Sequence, residues 1–481
     1  MNFLKNNSDL KKTIHTSSPA IITNERVLTY RELEEQMLQT AGILNESGIK
    51  KGDYVSIISP NNRDFVILVL GLWLINAIPV PLNIRSSKEE IENLISIAGS
   101  GKIFLHKNLE SKFNFNDQII FPISKVDKKD FSTNSSNDLY KTAVVIFTSG
   151  STGMPKGVML SFHNLISSFE TGNKFLQQSS NNRWLASLPF YHIGGFSIIT
   201  RTLLAGASMI IPDSSDITDF KEIIKKYRPT LASFVGTQLK KLLEADFEEM
   251  KELKNILIGG GFVDDELVKT AADKGWNISK VYGSSETSSF VAAFSLKETK
   301  NKIKSSGRAI PANEIFIVDE QRQNLSPNSI GEIAVKSDAV FSGYLNKDNE
   351  TKNKLQNGIY YSGDIGYLDE EGFLFVEARR TDLIVTGGEN VNPSEIEKHI
   401  LQHKSIKECC VVGIEDKSWG QIIVAAIVSD DNNLSEKVIQ NFLKNKIAGF
   451  KVPKRLLFVK HLPKTSLGKI EKEKVISLFK N

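Results

Sequence analysis

Residues 147–158, "FTSGSTGMPKGV", form the densest run of small and hydroxylated residues in the chain, with one lysine near its end. Glycine lets backbone N–H groups converge on one anion, hydroxyls add further donors, and a lysine adds positive charge. Phosphate is the ligand that this composition fits best. The candidate phosphate-binding residues are Thr148, Ser149, Gly150, Ser151, Thr152, Gly153 and Lys156.

Two other interpretations of this loop are open. A Gly/Ser-rich flexible turn would have a similar composition, although such linkers seldom carry Pro-Lys-Gly after a run of small residues. A P-loop would require G-x-x-x-x-G-K-S/T at the start of a helix, whereas Lys156 precedes Gly157 and the run "VMLS", which predicts a strand. We therefore expect a strand, a phosphate-binding loop and a second strand.

The elements that would position this loop are predicted to alternate between helices and strands. Thr29 and Glu32 have capping-box spacing, and apolar residues at helical spacing follow as far as Leu44, before the strand-like "YVSII". Short apolar strands entered from a turn or a helix end recur at "TLLAGASMIIP", "KEIIKKYRPTLASFV" and "LKNILIGGG". The pattern predicts the α/β class with a parallel sheet.

Charge and apolar runs exclude several classes of protein. The chain has 60 Lys and Arg residues and 56 Asp and Glu residues, and the basic residues form no tail or Arg-rich block. Nucleic acid is therefore not an expected partner. The N-terminus lacks the apolar stretch of a signal peptide, and we expect a cytoplasmic protein. The longest apolar run, from Phe65 to Ile75, is about half of what a bilayer crossing needs and predicts a buried helix.

The neighbours Cys409 and Cys410 are the only cysteines. They lie in the apolar run "ECCVVGI", where adjacent side chains of a strand point to opposite faces. We expect two reduced core residues, which agrees with a cytoplasmic location.

The character of the sequence changes near residue 380. A hairpin-like segment with a Glu371-Gly372 turn leads into a charged stretch, a Gly-Gly loop and a helix. We predict a large domain of αβ layers over residues 1–380 and a small α+β domain over residues 381–481.

Seven motifs occur in an order that resembles the adenylate-forming acyl-CoA synthetases, a family that also includes luciferases and the adenylation domains of peptide synthetases. They are "TSGSTGMPKG", "LPFYHIGG", "YGSSET", "GEI", "YYSGD", "RRTDLIVTGGENVNPSEIE" and "LPKTSLGK". The resemblance implies that the large domain binds ATP and a carboxylic acid. It also implies that the small domain is mobile and rotates between acyl-AMP formation and transfer of the acyl group to CoA.

The resemblance assigns roles in the first half-reaction. Thr148 to Lys156 would hold the β- and γ-phosphates, Glu286 would bind Mg2+, and Thr287 would contact the α-phosphate. Tyr282 would stack on adenine, and Asp364 would accept both ribose hydroxyls. From the residues alone, Glu286 is also explained as an acid at a helix N-terminus, and Asp364 as a turn aspartate.

The same resemblance assigns roles to the small domain. Lys469 would enter the site during adenylation as a catalytic lysine, and Arg379 would contact ribose or phosphate. Thr381 would be the hinge, although many members place Asp or Lys there. Gly387 and Gly388 would line the channel for the pantetheine arm of CoA, where two glycines suit the close passage of a thin chain.

The acid is expected to be aromatic. By resemblance His192 lines the tunnel beside the reacting carboxylate, and a core histidine is its alternative. Gly259 and Gly260 follow a strand, where bare backbone would leave room for a flat ring. No acidic residue lies between Arg183 and Ile211 to hold a substrate ammonium, so an amino acid is not expected.

Within the family the chain resembles the o-succinylbenzoate–CoA ligases of menaquinone biosynthesis, which share "LPxYHIxG", "GGENxxPxxIE", "D-x-x-WGQ" and "KVPK". Their substrate has a second carboxylate, and a buried anion needs a cation. Arg201, nine residues after His192 in an apolar stretch, would supply it, with Ser288 or Ser289 assisting. The alternative interpretation of Arg201 is a structural arginine that reaches the surface or pairs with an internal carboxylate.

Other functions remain open at the level of sequence. Another aryl-CoA or acyl-CoA ligase is the nearest alternative. A P-loop-like hydrolase would release ADP and phosphate in place of AMP and pyrophosphate. A non-catalytic nucleotide-binding relative is a third alternative. The joint presence of Lys469, Glu286 and Thr287 counts against it.

Overall fold

The computed structural model describes residues 17–121, 138–148, 155–214, 216–260, 263, 265–297, 300–378, 383–431, 433–463 and 470–479. By contacts within the chain, the protein divides into two compact units. The first comprises Met1–Ile84, Ile97–Phe147 and Gly157–Glu377, and the second comprises Arg85–Ser96, Thr148–Lys156 and Ala378–Asn481.

The strands are numbered in chain order. They are β1 (Pro19–Ile22), β2 (Val27–Thr29), β3 (Tyr54–Ile58), β4 (Ile78–Leu82), β5 (Lys102–His106), β6 (Gln118–Phe121), β7 (Thr142–Thr148), β8 (Lys156–Ser161), β9 (Arg183–Leu185), β10 (Ser208–Ile210), β11 (Leu231–Phe234), β12 (Asn255–Ile258), β13 (Ile278–Ser284), β14 (Ser289–Ser295), β15 (Arg308–Ala309), β16 (Glu314–Val318), β17 (Gly331–Lys336), β18 (Gly343–Tyr344), β19 (Leu355–Gln356), β20 (Ile359–Leu368), β21 (Leu374–Ala378), β22 (Ile384–Thr386), β23 (Glu389–Val391), β24 (Ile406–Asp416), β25 (Gly420–Ser429) and β26 (Arg455–Phe458).

The α-helices are numbered in the same way. They are α1 (Tyr30–Glu46), α2 (Arg63–Leu74), α3 (Lys88–Ala98), α4 (Phe162–Leu176), α5 (Ile193–Ala205), α6 (Ile217–Tyr227), α7 (Gly236–Glu244), α8 (Asp265–Asp273), α9 (Asp348–Lys354), α10 (Pro393–Ile400), α11 (Glu436–Lys444) and α12 (Lys472–Ser477).

The first unit contains the large sheets. One has the strand order β15-β14-β13-β12-β11-β9-β10-β1-β2, and its strands from β10 to β13 are mutually parallel. A second sheet, β4-β3-β5-β6, is parallel throughout. A third sheet contains the antiparallel strands β16, β17, β20 and β19, with β21 beside β20, and β18, β8 and β7 form a fourth sheet. The predicted α/β class, with helices between parallel strands, is confirmed.

Helix α1 begins where the capping box predicts. The Thr29 side chain accepts a hydrogen bond from the Glu32 backbone, and the Glu32 carboxylate accepts one from the Thr29 backbone. Every residue of α2 from Phe65 to Leu74 is buried, so the long apolar run is a core helix, as predicted. Within the described ranges, no helix is both long and apolar enough to cross a membrane.

The second unit has one sheet of its own, with order β23-β22-β25-β24 and β26 beside β25. Cys409 and Cys410 lie on β24, and both are buried and in the thiol form. Cys409 packs in the cluster that contains Ile423, whereas Cys410 packs in a separate cluster with Val475. The prediction of two core cysteines on opposite faces of a strand is therefore confirmed.

Candidate active site

The candidate phosphate-binding loop lies between two paired strands. Thr148 is the last residue of β7, and Lys156 is the buried first residue of β8. A Cβ atom at Gly157 would lie 2.9 Å from the Val145 side chain, so glycine allows the two strands to pack closely. Since β8 follows the lysine, the helix that a P-loop requires does not form. Ser149, Gly150, Ser151, Thr152 and Gly153 lie outside the described residues.

Tyr282 and Asp364, which the resemblance assigns to adenine and ribose, are in direct contact. The Tyr282 hydroxyl donates a 2.8 Å hydrogen bond to Oδ2 of Asp364. Tyr282 lies near the end of β13, and Asp364 lies within β20, directly after Gly363, whose φ is +82°. The Asp364 backbone donates to the Ser362 hydroxyl, which further fixes the carboxylate. The pair therefore joins two sheets of the first unit.

Glu286 and Thr287 lie in a single 3-10 turn, residues 285–287, between β13 and β14. Glu286 is 4% exposed. Its Oε1 accepts a 2.8 Å hydrogen bond from the Tyr344 hydroxyl. Thr287 Oγ1 accepts from the Ser284 backbone and donates to the Ser289 carbonyl at 2.6 Å. These contacts fix both side chains, and Tyr344 is a supporting residue that no sequence motif had indicated.

A metal at Glu286 would depend on ligands from a bound substrate. Among the described residues, no group of three or more His, Cys, Asp and Glu side chains could hold a metal. One buried carboxylate fits Mg2+, which is commonly held by one or two protein carboxylates together with phosphate oxygens and water.

Ser288 and Ser289 have unusual backbone geometry. Their φ angles are +51° and +107°, which is rare for residues with a Cβ atom. The Ser288 hydroxyl donates to the Ala339 carbonyl at 2.7 Å, and the Ser288 carbonyl accepts from the Ser168 hydroxyl at 2.8 Å. Ser288 is thus engaged with its neighbours, and Ser289 is the more exposed of the two.

His192 is the N-cap residue of α5, and its ring contacts that of Tyr191 at 4.8 Å. The preceding loop is held by Asn61, whose amide donates to the Leu188 carbonyl at 2.8 Å and accepts from the Phe190 backbone at 2.8 Å. The sequence had given no sign of this role for Asn61. Two groups from one side chain hold the loop that leads to His192.

Arg201 lies in α5 and is 2% exposed. Its guanidinium stands over the Phe290 ring, with Cζ 4.5 Å from the ring centroid. Its buried Nη2 has no hydrogen-bond partner, and no carboxylate of the described residues pairs with it. Burial lowers the pKa of Arg201 to about 9. The alternative of a surface arginine is therefore wrong, and the alternative of an internal ion pair finds no partner among the described residues.

Gly259 and Gly260 follow β12, as predicted, but packing already explains them. A Cβ atom at Gly259 would lie 2.7 Å from the Val281 side chain on β13. Gly260 has a φ of +80°. Close strand packing and a left-handed backbone therefore both favour glycine here, before any substrate ring is considered.

In the second unit, Gly387 and Gly388 form the turn between β22 and β23. Both have positive φ angles, +57° and +83°. The Gly387 backbone donates to the Trp419 carbonyl, and a Cβ atom at Gly387 would lie 2.8 Å from the Trp419 ring. The Lys454 ammonium is 5.4 Å from the same ring. Arg379, Thr381 and Lys469 lie outside the described residues.

Comparisons with known proteins agree with this arrangement. Residues 12–345 match the model of the AMP-binding enzyme family, and residues 395–469 match the AMP-binding enzyme C-terminal domain. A 2-succinylbenzoate–CoA ligase of Bacillus thuringiensis subsp. konkukian is 32% identical over 94% of this chain and 93% of the relative.

Two solved structures of o-succinylbenzoate CoA synthetase from Bacillus subtilis are also similar. A double mutant bound to the product analogue OSB-NCoA is 30% identical, with a TM-score of 0.92 over 99% of this chain and 98% of its own. The enzyme with ATP and magnesium is 29% identical, with a TM-score of 0.73 over 98% of each chain. The chain therefore belongs to the AMP-binding enzyme family, and within that family it is an AMP-forming acid–CoA ligase.

Proposed function

We propose that this ligase converts 2-succinylbenzoate to 2-succinylbenzoyl-CoA, a step of menaquinone biosynthesis. One carboxylate of the acid attacks the α-phosphate of ATP, giving acyl-AMP and pyrophosphate. The CoA thiol then displaces AMP to give the thioester. The similar ligase from B. thuringiensis carries this activity in its name, and the B. subtilis structures contain ATP with magnesium and an OSB-CoA analogue.

The observation that carries the choice of acid is Arg201. A buried guanidinium without an anionic partner is costly, because the charge has lost water and gained no counter-charge. The substrate has two carboxylates, of which only one reacts. The other would give Arg201 the charge-assisted pair that the described residues do not supply. We propose that Ser289 assists in binding this second carboxylate. Ser288, the adjacent residue, would assist as well.

The ATP-binding residues fit the first half-reaction. Tyr282 would stack on adenine while its hydroxyl orients Asp364 toward the ribose hydroxyls. Glu286, held by Tyr344, would be the protein ligand of Mg2+, which supplies charge neutralisation at the phosphates. Thr287 would contact the α-phosphate, and His192 would lie beside the reacting carboxylate. Positioning and charge neutralisation are the main requirements when a carboxylate attacks a polyphosphate.

Two loops would complete phosphate binding. Residues 148–153 and Lys156 would surround the β- and γ-phosphates. Lys469 would reach the reacting phosphate only during adenylation, and Arg379 would contact ribose or phosphate. We propose domains over residues 1–380 and 381–481 with Thr381 as the hinge.

Gly387 and Gly388 would line the passage for the pantetheine arm, because their lack of side chains leaves the backbone accessible to a thin chain. Trp419, 38% exposed, offers an aromatic surface next to Gly387. We propose a cytoplasmic location, which agrees with two buried cysteines in the thiol form.

The decisive experiment is pyrophosphate release from ATP with a panel of acids: 2-succinylbenzoate, benzoates, cinnamates, fatty acids and amino acids. We expect 2-succinylbenzoate to have the highest kcat/KM. Arg201→Ala should raise its KM at least about tenfold, since truncating one partner of a desolvated charge pair costs about 2–5 kcal/mol.

Two monocarboxylic analogues provide the comparison, 4-oxo-4-phenylbutanoate and 2-butanoylbenzoate, each of which keeps one carboxylate of the substrate. Arg201→Ala should barely affect the analogue that keeps the reacting group. Equal losses for all acids would show that Arg201 is structural. Preferred turnover of a cinnamate or a fatty acid would identify a different acyl-CoA ligase.

A further inference from the structure

The Arg201 guanidinium is oriented by a ring from outside its own helix, and that ring is in turn positioned by a second element. Among the described residues, the guanidinium forms no hydrogen bond or ion pair, and it lies over the Phe290 ring on β14. Phe290 is itself buried. A guanidinium with several rotatable bonds and no hydrogen-bonded partner on Nη2 depends on such a surface for its orientation.

The position of the Phe290 ring depends in turn on helix α4. A Cβ atom at Gly172 would lie 3.2 Å from Cζ of Phe290, which is closer than ordinary van der Waals contact. Glycine within a helix costs about 1 kcal/mol relative to alanine. The absent side chain at Gly172 therefore provides the space that the ring occupies.

The backbone that leads to Phe290 is fixed from the same helix. Ser288 and Ser289 have positive φ angles, and the Ser168 hydroxyl of α4 donates to the Ser288 carbonyl at 2.8 Å. Gly283 pairs with Phe290, and a Cβ atom there would lie 1.9 Å from the Ser289 carbonyl oxygen. Helix α4 thus holds both the turn and the ring that it presents to Arg201.

We propose that Phe290 and Gly172 are positioning residues that orient the Arg201 guanidinium and thereby set the selectivity of the enzyme for a dicarboxylic acid. The inference rests on the proposed function, in which Arg201 receives the second carboxylate. Neither residue needs to touch the reacting atoms. The ring keeps the guanidinium in one orientation while the site is empty, so that binding of the carboxylate does not have to order it.

The first test replaces the ring. Phe290→Leu removes the aromatic face but keeps an apolar side chain. We expect the KM for 2-succinylbenzoate to rise about tenfold, the effect of roughly 1.4 kcal/mol, with kcat changed less than about twofold. The KM for the reactive monocarboxylic analogue should stay within about twofold of wild type. Phe294→Leu is the matched control, because Phe294 is buried on the same strand and contacts Phe373.

The second test keeps the ring and fills its space. Gly172→Ala should raise the KM for 2-succinylbenzoate about threefold, because the methyl group displaces the ring by a few tenths of an ångström. Gly42→Ala is its control, since Gly42 lies within α1 and no atom would come within 4 Å of its Cβ. This control should leave both KM values unchanged.

The outcomes separate this inference from the proposed function. If wild type prefers 2-succinylbenzoate and Arg201→Ala loses that preference, the proposed function holds. If Phe290→Leu and Gly172→Ala then retain the preference, or lose activity on both acids equally, the positioning role is wrong. If wild type does not activate 2-succinylbenzoate, the proposed function fails first, and with it the basis of this inference.

Discussion

Replacing Arg201 by methionine should stabilise the ligand-free protein. Burial lowers the pKa of Arg201 to about 9, well below the ordinary value for arginine. One pKa unit corresponds to about 1.4 kcal/mol, so the charged guanidinium costs on the order of 5 kcal/mol in the folded, empty site. The Phe290 ring offsets about 2 kcal/mol of this cost, as desolvated cation–π pairs do. Methionine is flexible and apolar and can fill much of the same space.

We therefore expect Arg201→Met to raise the free energy of unfolding by about 3 kcal/mol, within the range seen when buried charges are replaced by apolar residues. The assay is urea-induced unfolding at pH 7.5 without substrate, followed by circular dichroism. Arg308→Met is the control, because Arg308 also stands over a ring, that of Phe373 at 4.2 Å, but is exposed. It should change stability by less than about 0.5 kcal/mol.

The pH dependence has a definite sign. Below pH 9 Arg201 is charged in both the folded and the unfolded state, so the full penalty applies. As the pH rises above 9 toward the ordinary pKa of arginine, the folded protein releases the proton first, and the advantage of Arg201→Met should shrink. A variant that unfolds at lower urea than wild type, while Arg308→Met does not, would refute the reasoning, because the guanidinium would then stabilise the empty fold.

Three further predictions concern the two half-reactions. Lys469→Ala should abolish pyrophosphate release while thioester formation from supplied acyl-AMP continues, because in its proposed role the lysine acts only when phosphates carry developing charge. Equal loss of both steps would contradict that role. Glu286→Gln should raise the Mg2+ concentration needed for half-maximal adenylation, since an amide is a poorer Mg2+ ligand than a carboxylate. An unchanged Mg2+ titration would contradict the role of Glu286 as a metal ligand. Gly387→Val should raise the KM for CoA and leave acyl-AMP formation intact, because the new Cβ would lie 2.8 Å from the Trp419 ring at a φ of +57°. Slower adenylation with a normal KM for CoA would argue against a place for Gly387 in the CoA passage.

Local patterns predicted the parts of the fold that depend on neighbouring residues. The capping box at Thr29 placed the start of α1, and the apolar run after Phe65 gave a core helix. The alternation at Cys409 and Cys410 placed them on two faces of a strand. In each case the spacing along the chain determines the side that a residue presents.

The partners of the site residues could not be predicted in the same way, because they are distant in sequence. Tyr344 is 58 residues from Glu286, and Asp364 is 82 residues from Tyr282. No periodicity connects such pairs. At Gly259 the local pattern was misleading. A glycine after a strand suggested room for a ring, whereas the adjacent strand β13 occupies that space. Only the tertiary packing distinguishes these explanations.

Alkylation of the two cysteines of β24 would report local opening of the second unit. Burial raises the pKa of the Cys409 thiol, and only the thiolate reacts with alkylating reagents. Each thiol is enclosed by a different apolar layer, Cys409 on one side of the sheet and Cys410 on the other. The alkylation rate of each cysteine would therefore count how often its own layer separates from the sheet, and a difference between the two rates would reveal which layer opens first.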